Sequence, residues 1–111
     1  MRRFCATVYK FSPSAKMPEA SPLLLDPSIF KYAAYQIEEC PTSHKRHVQF
    51  YGILQKQLTV KAIKDYFVDN TMHIEACRGS HRDNVTYCTK VETRVQGPWT
   101  FGLLVSVMLN F

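Results

Sequence analysis

Polar and apolar residues alternate along the first half of the chain in a way that predicts three β-strands. Residues 4–9 are rich in aromatic and β-branched side chains and predict the first strand. Residues 12–27 carry four of the six prolines and predict a loop. Residues 32–38 and 47–54 predict two further strands. The segment 39–46, which contains a proline and small polar residues, predicts the hairpin connection between them.

The second half of the chain begins with helical spacing. Residues 59–67 predict a helix, because apolar side chains recur at i, i+3 and i+7 behind a threonine that can cap it. Residues 72–78 predict a fourth strand. A Ser-x-x-Asp capping pattern then opens a second helix, expected over residues 80–92. The Gly-Pro pair at 97–98 should stop this helical region, and residues 99–101 are a candidate final strand.

This order of elements predicts one α+β domain with a mostly antiparallel sheet of about five strands flanked by helices. A length of 111 residues fits one compact domain. Hydrophobic residues make up 46% of the chain and charged residues 21%, which is ordinary globular composition and argues against disorder.

The net charge of +5 points to nucleic acid as a candidate partner, because small basic domains often bind its phosphates. Basic residues flank the predicted hairpin strand and the start of the second helix, and aromatic rings near them could stack on bases. The candidate DNA-binding residues are Tyr9, Lys10, Lys45, Arg46, Arg78 and Arg82. A solvated basic surface without a nucleic-acid partner stays the alternative.

The four cysteines form no CxxC pair and fall inside or at the edges of predicted elements. We therefore expect reduced, partly buried thiols and a reducing compartment. Residues 1–3 lead directly into the first predicted strand, so we expect no signal peptide. The longest apolar run, 103–109, falls far short of the roughly 20 residues of a membrane span, so we expect no membrane partner.

The predicted hairpin carries a candidate metal site. His47 and Gln49 share one face of their strand, because side chains alternate in a strand. If the hairpin closes near residues 40–45, Glu38 lies across from His47. A carboxylate, an imidazole and an amide oxygen would then converge, a set that suits Mg²⁺ or Mn²⁺ better than structural zinc. A polar sheet face without a metal is the alternative.

The second predicted helix carries a candidate nucleophile. Tyr87 and Lys90 project together, because residues i and i+3 are neighbours on a helix. An unperturbed tyrosine phenol has a pKa of about 10, and a nearby ammonium or metal favours the phenolate. An ordinary amphipathic Tyr–Lys pair is the alternative, since YxxK is a common pattern.

Taken together and in order, these segments resemble the HUH endonuclease domain of replication-associated proteins from circular single-stranded DNA viruses. The resemblance is to proteins of the circovirus, nanovirus and alphasatellite kind, and it spans roughly residues 3–102. Its motifs are FCATVY at 4–9, HVQFYG at 47–52, HIEACRGS at 73–80, YCTK at 87–90, TR at 93–94 and GPWTFG at 97–102.

The resemblance implies a rolling-circle replication initiator that nicks single-stranded DNA at an origin stem-loop in the host nucleus. It implies that Tyr87 becomes linked to the 5′ phosphate, frees a 3′ hydroxyl and later allows the ends to be rejoined. Lys90 would orient the site or compensate its charge, and Glu38, His47 and Gln49 would bind Mg²⁺ or Mn²⁺. The implied fold is a central antiparallel sheet flanked by helices, related to ferredoxin-like and RRM-like folds.

We expect the HUH domain to occupy residues 1–102, and residues 103–111 to be an atypical C-terminal tail. The family's full-length proteins continue into a helicase with an ATP-binding P-loop. The 111 residues contain no GxxxxGK[ST] motif, so we expect no helicase domain here and no oligomer of the kind that such a domain builds.

Two departures from the family pattern, and one alternative ligand, concern the candidate site. Tyr9 and Lys10 stand where the first motif commonly has two asparagines, and Val91 follows the lysine where an acidic residue is common. A fourth acidic metal contribution is therefore missing unless Glu92 supplies it. Glu39 would replace Glu38 as a ligand if the hairpin register differed by one residue.

Two other functions stay open at this point. The chain could be a catalytically inactive or endogenised copy that only binds origin DNA. It could also be a single-stranded RNA-binding domain with a related sheet, although that class usually carries paired aromatic motifs where this chain has His47 and Gln49.

Overall fold

A computed structural model describes residues 1–12, 17 and 19–102, and within them the chain forms five strands and two helices. In chain order these are β1 (Arg3–Val8), β2 (Phe30–Glu39), β3 (Arg46–Leu54), α1 (Val60–Phe67), β4 (His73–Ala76), α2 (His81–Cys88) and β5 (Arg94–Phe101). The strands form one sheet in the order β4-β1-β3-β2-β5, with antiparallel pairing throughout. The predicted α+β class is confirmed. The predicted tail, 103–111, lies outside the described residues.

One face of the sheet carries the hydrophobic core. Phe4, Val48 and Phe50 alternate with polar neighbours along β1 and β3 and are fully buried. Helix α1 covers this face and contributes the buried Ile63, and the ring of Phe67 lies 5.4 Å from that of Phe50. Burial of aromatic rings is the main stabilising contribution of such a core, because each ring removes a large apolar area from water.

The opposite face of the sheet is polar where its three central strands meet. The register aligns Thr7 with Gln49 and Gln49 with Gln36, and it aligns Glu38 with His47. Helix α2 packs over part of this face through two side chains that are buried, Asn84 and Cys88. A single face therefore gathers polar side chains from β1, β2, β3 and α2.

Both helices begin where their capping residues predict. Thr59 caps α1 by accepting a hydrogen bond from the backbone N–H of Ala62 at 3.1 Å. Ser80 and Asp83 form a reciprocal capping box at the start of α2. The predicted end of the second helix was wrong, because α2 stops at Cys88 rather than near residue 92.

The Gly97–Pro98 pair was predicted to end the helical region. It lies instead inside β5, which begins at Arg94. Proline fits there because β5 is an edge strand, where a missing backbone N–H breaks no pairing within the sheet. The final strand is accordingly longer than residues 99–101, and β4 is shorter than the predicted 72–78.

No helix within the described part of the chain is long and apolar enough to cross a membrane.

Candidate active site

Glu38 and His47 face each other across the β2–β3 pairing, as the hairpin register predicts. Oε1 of Glu38 lies 3.5 Å from Nε2 of His47. The Glu38 side chain is almost fully buried, while that of His47 retains limited access to solvent. The sequence therefore brings one carboxylate and one imidazole together at the end of the hairpin.

Glu39, the alternative ligand, points to a different environment. Its carboxylate lies 3.3 Å from Nε of Arg46 and 3.4 Å from Nδ1 of His44, near the hairpin turn. Hydrogen bonds from His44 and Arg46 lower the pKa of Glu39 below its ordinary value. Strand alternation thus assigns Glu38, and not Glu39, to the side of His47.

Gln36 holds Glu38 in place, a role that the sequence did not reveal. The Gln36 side chain is fully buried, and its Nε2 donates hydrogen bonds to Oε2 of Glu38 at 2.8 Å and to the carbonyl oxygen of Lys90 at 2.6 Å. One amide therefore ties the β2 carboxylate to the segment that follows α2. Gln36 lies two residues before Glu38 on β2 and so shares its face of the sheet, whereas the Lys90 carbonyl reaches it from 54 positions away.

Gln49 is oriented by contacts through its amide nitrogen. Nε2 donates to the carbonyl oxygen of Ala6 at 3.4 Å, and the amide also hydrogen-bonds the thiol of Cys88. These contacts leave Oε1 as the Gln49 atom that can bind a cation. The predicted ligands Glu38, His47 and Gln49 thus lie on one face of two paired strands.

The Tyr87 and Lys90 side chains do lie together, but the predicted helical reason was wrong, because α2 ends at Cys88 and Lys90 lies beyond it. The Lys90 ammonium lies 4.0 Å from the centroid of the Tyr87 ring, and it also lies 3.9 Å from Oε1 of Glu38. The Tyr87 side chain is 55% exposed. Lys90 therefore connects the candidate nucleophile to the candidate metal ligands.

Gln49 and Tyr87 line a common cleft of about 400 Å³ between α2 and the β1–β4 side of the sheet. The other lining residues are Cys5, Ala6, Thr7, His73, Glu75, Ala76, Cys77, Arg78 and Asn84. Within this wall, Nε2 of His73 lies 2.9 Å from Oε1 of Glu75, and that hydrogen bond lowers the pKa of Glu75.

The donor set fits a divalent cation in chemical type. Two ligands that each sit about 2.1 Å from one octahedral ion, at right angles, are about 3 Å apart. The 3.5 Å between Glu38 and His47 is close to that separation. Within the described residues no cluster of three or more His, Cys, Asp or Glu could hold a metal ion, so a cation here depends on the Gln49 amide as its third protein ligand.

The candidate DNA-binding residues fall into separate groups around this site. Tyr9, Lys45 and Arg46 line one groove with Thr71, and the Tyr9 ring lies 6.3 Å from that of His47. This arrangement extends the polar face of the sheet past His47 toward an aromatic ring and two cations.

The remaining basic residues lie elsewhere. Arg78 lines the cleft of Tyr87, whereas Arg82 lines a groove on another side of Tyr87 together with Lys90 and Glu92. Lys10 is not brought to Tyr9's groove but lines a different one with Lys64.

The position after Lys90 brings no acidic group to the site. Val91 is 65% exposed, and Glu92 lines the groove of Arg82 rather than the cleft wall that holds Gln49. Lys90 itself, which lies beside Glu38, is the charged neighbour of the carboxylate from this segment.

Comparison with known proteins identifies the family. The family described as "Putative viral replication protein" matches residues 5–91, a range that includes Glu38, His47, Gln49, Tyr87 and Lys90. The chain is 33% identical over 85 residues to the master replication protein of Banana bunchy top virus, a match that covers 77% of this chain and 28% of that protein.

Two further viral replication proteins are similar to this chain. The replication-associated protein of Human associated cyclovirus 1 is 37% identical over 93 residues, covering 81% of this chain and 31% of the relative. Para-Rep C1 of Milk vetch dwarf C1 alphasatellite is 37% identical over 75 residues, a match that covers 68% of this chain and 25% of that protein. The chain thus spans less than a third of the length of these relatives, and it belongs to the viral replication protein family.

Proposed function

We propose that this domain starts replication of a circular single-stranded viral DNA by nicking one strand at the origin with Tyr87. The proposal rests on the position of Lys90 between two groups of the site. Its ammonium lies 4.0 Å from the centroid of the Tyr87 ring and 3.9 Å from the buried carboxylate of Glu38. The names of the relatives support a role in replication. The host nucleus is the compartment that the family resemblance implies.

Tyr87 supplies the nucleophile. Its phenol loses a proton to solvent, and Oη attacks the phosphorus of a phosphodiester in the cleft. An Oη–P bond forms and the P–O3′ bond breaks, so the 5′ phosphate stays on the protein and the released 3′ oxygen takes up a proton. The reverse reaction, with a 3′ hydroxyl as the nucleophile, rejoins the ends because the phosphotyrosine ester keeps the energy of the broken bond.

Lys90 favours this reaction electrostatically. Its ammonium lies 4.0 Å from the centroid of the Tyr87 ring, beside the attacking group. The same charge also lies close to where negative charge would build up on the phosphoryl oxygens. Its position is fixed from two sides, since Glu38 attracts the ammonium and Gln36 hydrogen-bonds the Lys90 carbonyl.

Glu38, His47 and Gln49 would hold Mg²⁺ or Mn²⁺, which supplies Lewis-acid polarisation of the phosphate when bound. The protein's own part is to keep these ligands in register. Glu38 receives a hydrogen bond from Gln36, and Gln49 is oriented through Ala6. Such supporting contacts typically decide how well ligands are pre-organised.

The substrate we propose is single-stranded DNA at the origin stem-loop. Its backbone would run from the groove of Tyr9, Lys45 and Arg46 past His47 into the cleft of Tyr87, where Arg78 also lies. Arg82 lines the groove on another side of Tyr87. A base stacked on the half-exposed Tyr9 would fix the strand's register.

The test uses the purified chain, Mn²⁺ and an oligonucleotide that carries the origin loop of the genome encoding it, labelled at either end. The proposal requires that the 3′-labelled fragment migrate with the protein on a denaturing gel, while the 5′-labelled fragment is released with a free 3′ hydroxyl. EDTA and Tyr87→Phe should each abolish the adduct.

Tyr66→Phe is the matched control, because it removes a phenol from α1 on the other face of the sheet and should leave the adduct intact. An adduct that survives Tyr87→Phe would refute Tyr87 as the nucleophile. Binding without any adduct would instead support a DNA-binding module without catalysis.

A further inference from the structure

Cys5 and Cys77 meet in the wall of the Tyr87 cleft, although 72 positions separate them in the sequence. Their sulfur atoms lie 3.5 Å apart. Cys5 is in β1, and Cys77 is the first residue after β4, whose neighbour Ala76 pairs with Phe4. Both side chains are partly exposed, so a small molecule in the cleft can reach them.

The surroundings of Cys5 promote reaction at this sulfur. Hydrogen bonds from the thiols of Cys77 and Cys88, together with the charge of Arg3, lower the pKa of Cys5. Burial and the negative charge of Glu75 act in the opposite direction. The Cys5 sulfur also lies 2.9 Å from the side-chain amide oxygen of Asn84. The thiol groups of Cys77 and Cys88 carry raised pKa values, so Cys5 is the sulfur of this cluster that ionises first.

We propose that Cys5 and Cys77 form a reversible disulfide when the protein meets a peroxide. The Cys5 thiolate attacks one oxygen of hydrogen peroxide, which gives a sulfenic acid and releases hydroxide. The Cys77 sulfur then attacks the Cys5 sulfur, an S–S bond forms, and water leaves with the Cys77 proton. Two thiols and one peroxide thus become one disulfide and two waters.

The geometry suits closure of this bond. A disulfide needs a sulfur separation of about 2.05 Å, so the pair must approach by roughly 1.5 Å. Cys77 follows the last residue of β4, and its backbone N–H keeps one long hydrogen bond, 3.4 Å, to the carbonyl oxygen of Arg3. Gly79 two residues later has a φ of +76°, so regular strand structure has ended there and this end of β4 is only weakly held. Movement of Cys77 rather than of β1 would close the gap.

The other two cysteines fit the role less well. Cys88 is the last residue of α2, and its side chain is fully buried and hydrogen-bonds the Gln49 amide, so it is shielded from a solvent-borne peroxide. Cys40 lies beside the β2–β3 turn, where Ser43 and Thr42 lower its pKa to about 6. Its sulfur lies 3.4 Å from the Thr42 hydroxyl, which is not a thiol and cannot form a disulfide.

The experiment treats the folded chain with hydrogen peroxide, blocks the remaining thiols under denaturing conditions, and maps disulfides after trypsin digestion without reductant. Each cysteine falls in its own tryptic peptide, with Cys5 in 4–10 and Cys77 in 65–78. We expect two of the four thiols to be lost, peptides 4–10 and 65–78 to be joined, and dithiothreitol to restore both thiols.

Two variants and one unfolding condition test whether the fold selects the Cys5–Cys77 pair. Cys77→Ser should abolish the joined peptides, whereas Cys40→Ser should leave them unchanged. Peroxide applied to the urea-unfolded chain should give mixed pairings, since the fold no longer selects Cys77. A joined pair of Cys5 with Cys88, a dimer through Cys40 as the main product, or oxidation of Cys5 without any disulfide would each overturn the proposal. None of these readouts depends on DNA cleavage.

Discussion

The Lys90 ammonium lies 4.0 Å from the centroid of the Tyr87 ring, although Lys90 follows the end of the helix that carries Tyr87. The turn of α2 ends at Cys88, so Lys90 leaves the helix while keeping its side chain over the ring. The same ammonium lies 3.9 Å from Glu38. A single cation therefore touches the two parts of the site that come from distant segments of the sequence.

Replacing Lys90 by methionine should slow formation of the Tyr87 adduct by about 100-fold, the usual cost of losing one charged group that stabilises a transition state. Lys90→Arg keeps the charge and should recover part of the rate. The measurement is a single-turnover time course at saturating DNA. Thermal unfolding of both variants would reveal a general loss of structure, and an unchanged rate in Lys90→Met would contradict the proposed role.

Gln36→Leu tests whether the buried amide positions Glu38. Removing the donor leaves Oε2 of Glu38 without its 2.8 Å hydrogen bond, and this should destabilise the fold by roughly 1–3 kcal/mol. It should also weaken Mn²⁺ binding by about 10- to 100-fold, as losses in ligand support typically do. Urea unfolding and calorimetric titration with Mn²⁺ measure the two effects separately.

Gln57→Leu is the matched control for this variant, because Gln57 is exposed in the segment before α1 and should affect neither quantity. If Gln36→Leu lowered stability but left Mn²⁺ affinity unchanged, Gln36 would be a structural residue only.

Asp69 fixes the segment after β1 and should contribute to stability in a pH-dependent way. Its buried carboxylate accepts hydrogen bonds from the backbone N–H groups of Tyr9 at 2.9 Å and Lys10 at 3.0 Å, and from Thr71. Burial opposes its ionisation, but these hydrogen bonds outweigh burial and lower the pKa of Asp69 below its usual 3.8. We expect Asp69→Asn to cost roughly 2–4 kcal/mol at neutral pH.

The sign of the pH effect follows from the lowered pKa. The stabilisation by the Asp69 carboxylate is fully present above pH 3.8 and is lost as pH falls through the lower pKa of the folded state. The difference in urea stability between wild type and Asp69→Asn should therefore be constant from pH 5 to 7 and shrink below about pH 4. Asp65→Asn, which removes an exposed ion pair with Lys61, should show almost no difference at any of these values.

Comparing cap substitutions in the two helices distinguishes a loss of overall stability from a change in the geometry of the site. Ser80→Ala and Thr59→Ala each remove one N-cap oxygen and should each cost about 1 kcal/mol, measured as a lower urea midpoint. Only Ser80 caps the helix that carries Tyr87. Adduct formation should therefore slow in Ser80→Ala and not in Thr59→Ala, and equal rates in the two variants would argue that α2 is held by its packing alone.

The hairpin part of the site could be predicted from the sequence because its information is local. Alternation puts His47 and Gln49 on one face, and a short connection sets Glu38 opposite His47. Helix starts were predictable for the same reason, since a capping pattern spans only four residues. Whether these residues bind a metal and cleave DNA stays a prediction.

The rest of the site depends on contacts between distant segments. Gln36 meets the Lys90 carbonyl across 54 positions, and Cys5 meets Cys77 across 72. Neither pairing leaves a pattern in the local sequence. The end of α2 and the length of β5 were mispredicted because Gly97 and Pro98, usual helix-breaking signals, are accommodated in an edge strand.

The pairing of β2 with β3 runs without interruption from Tyr32 to Glu39, whereas the pairing of β2 with β5 shifts register on both sides of Ile37. Because β5 is an edge strand whose register with β2 is already irregular, it can gain or lose a residue without turning Glu38 away from His47. One residue inserted within β2 or β3 would send that carboxylate into the apolar core. Insertions and deletions should therefore accumulate in the lineage along β5 and its approach, while the two hairpin strands keep a constant length.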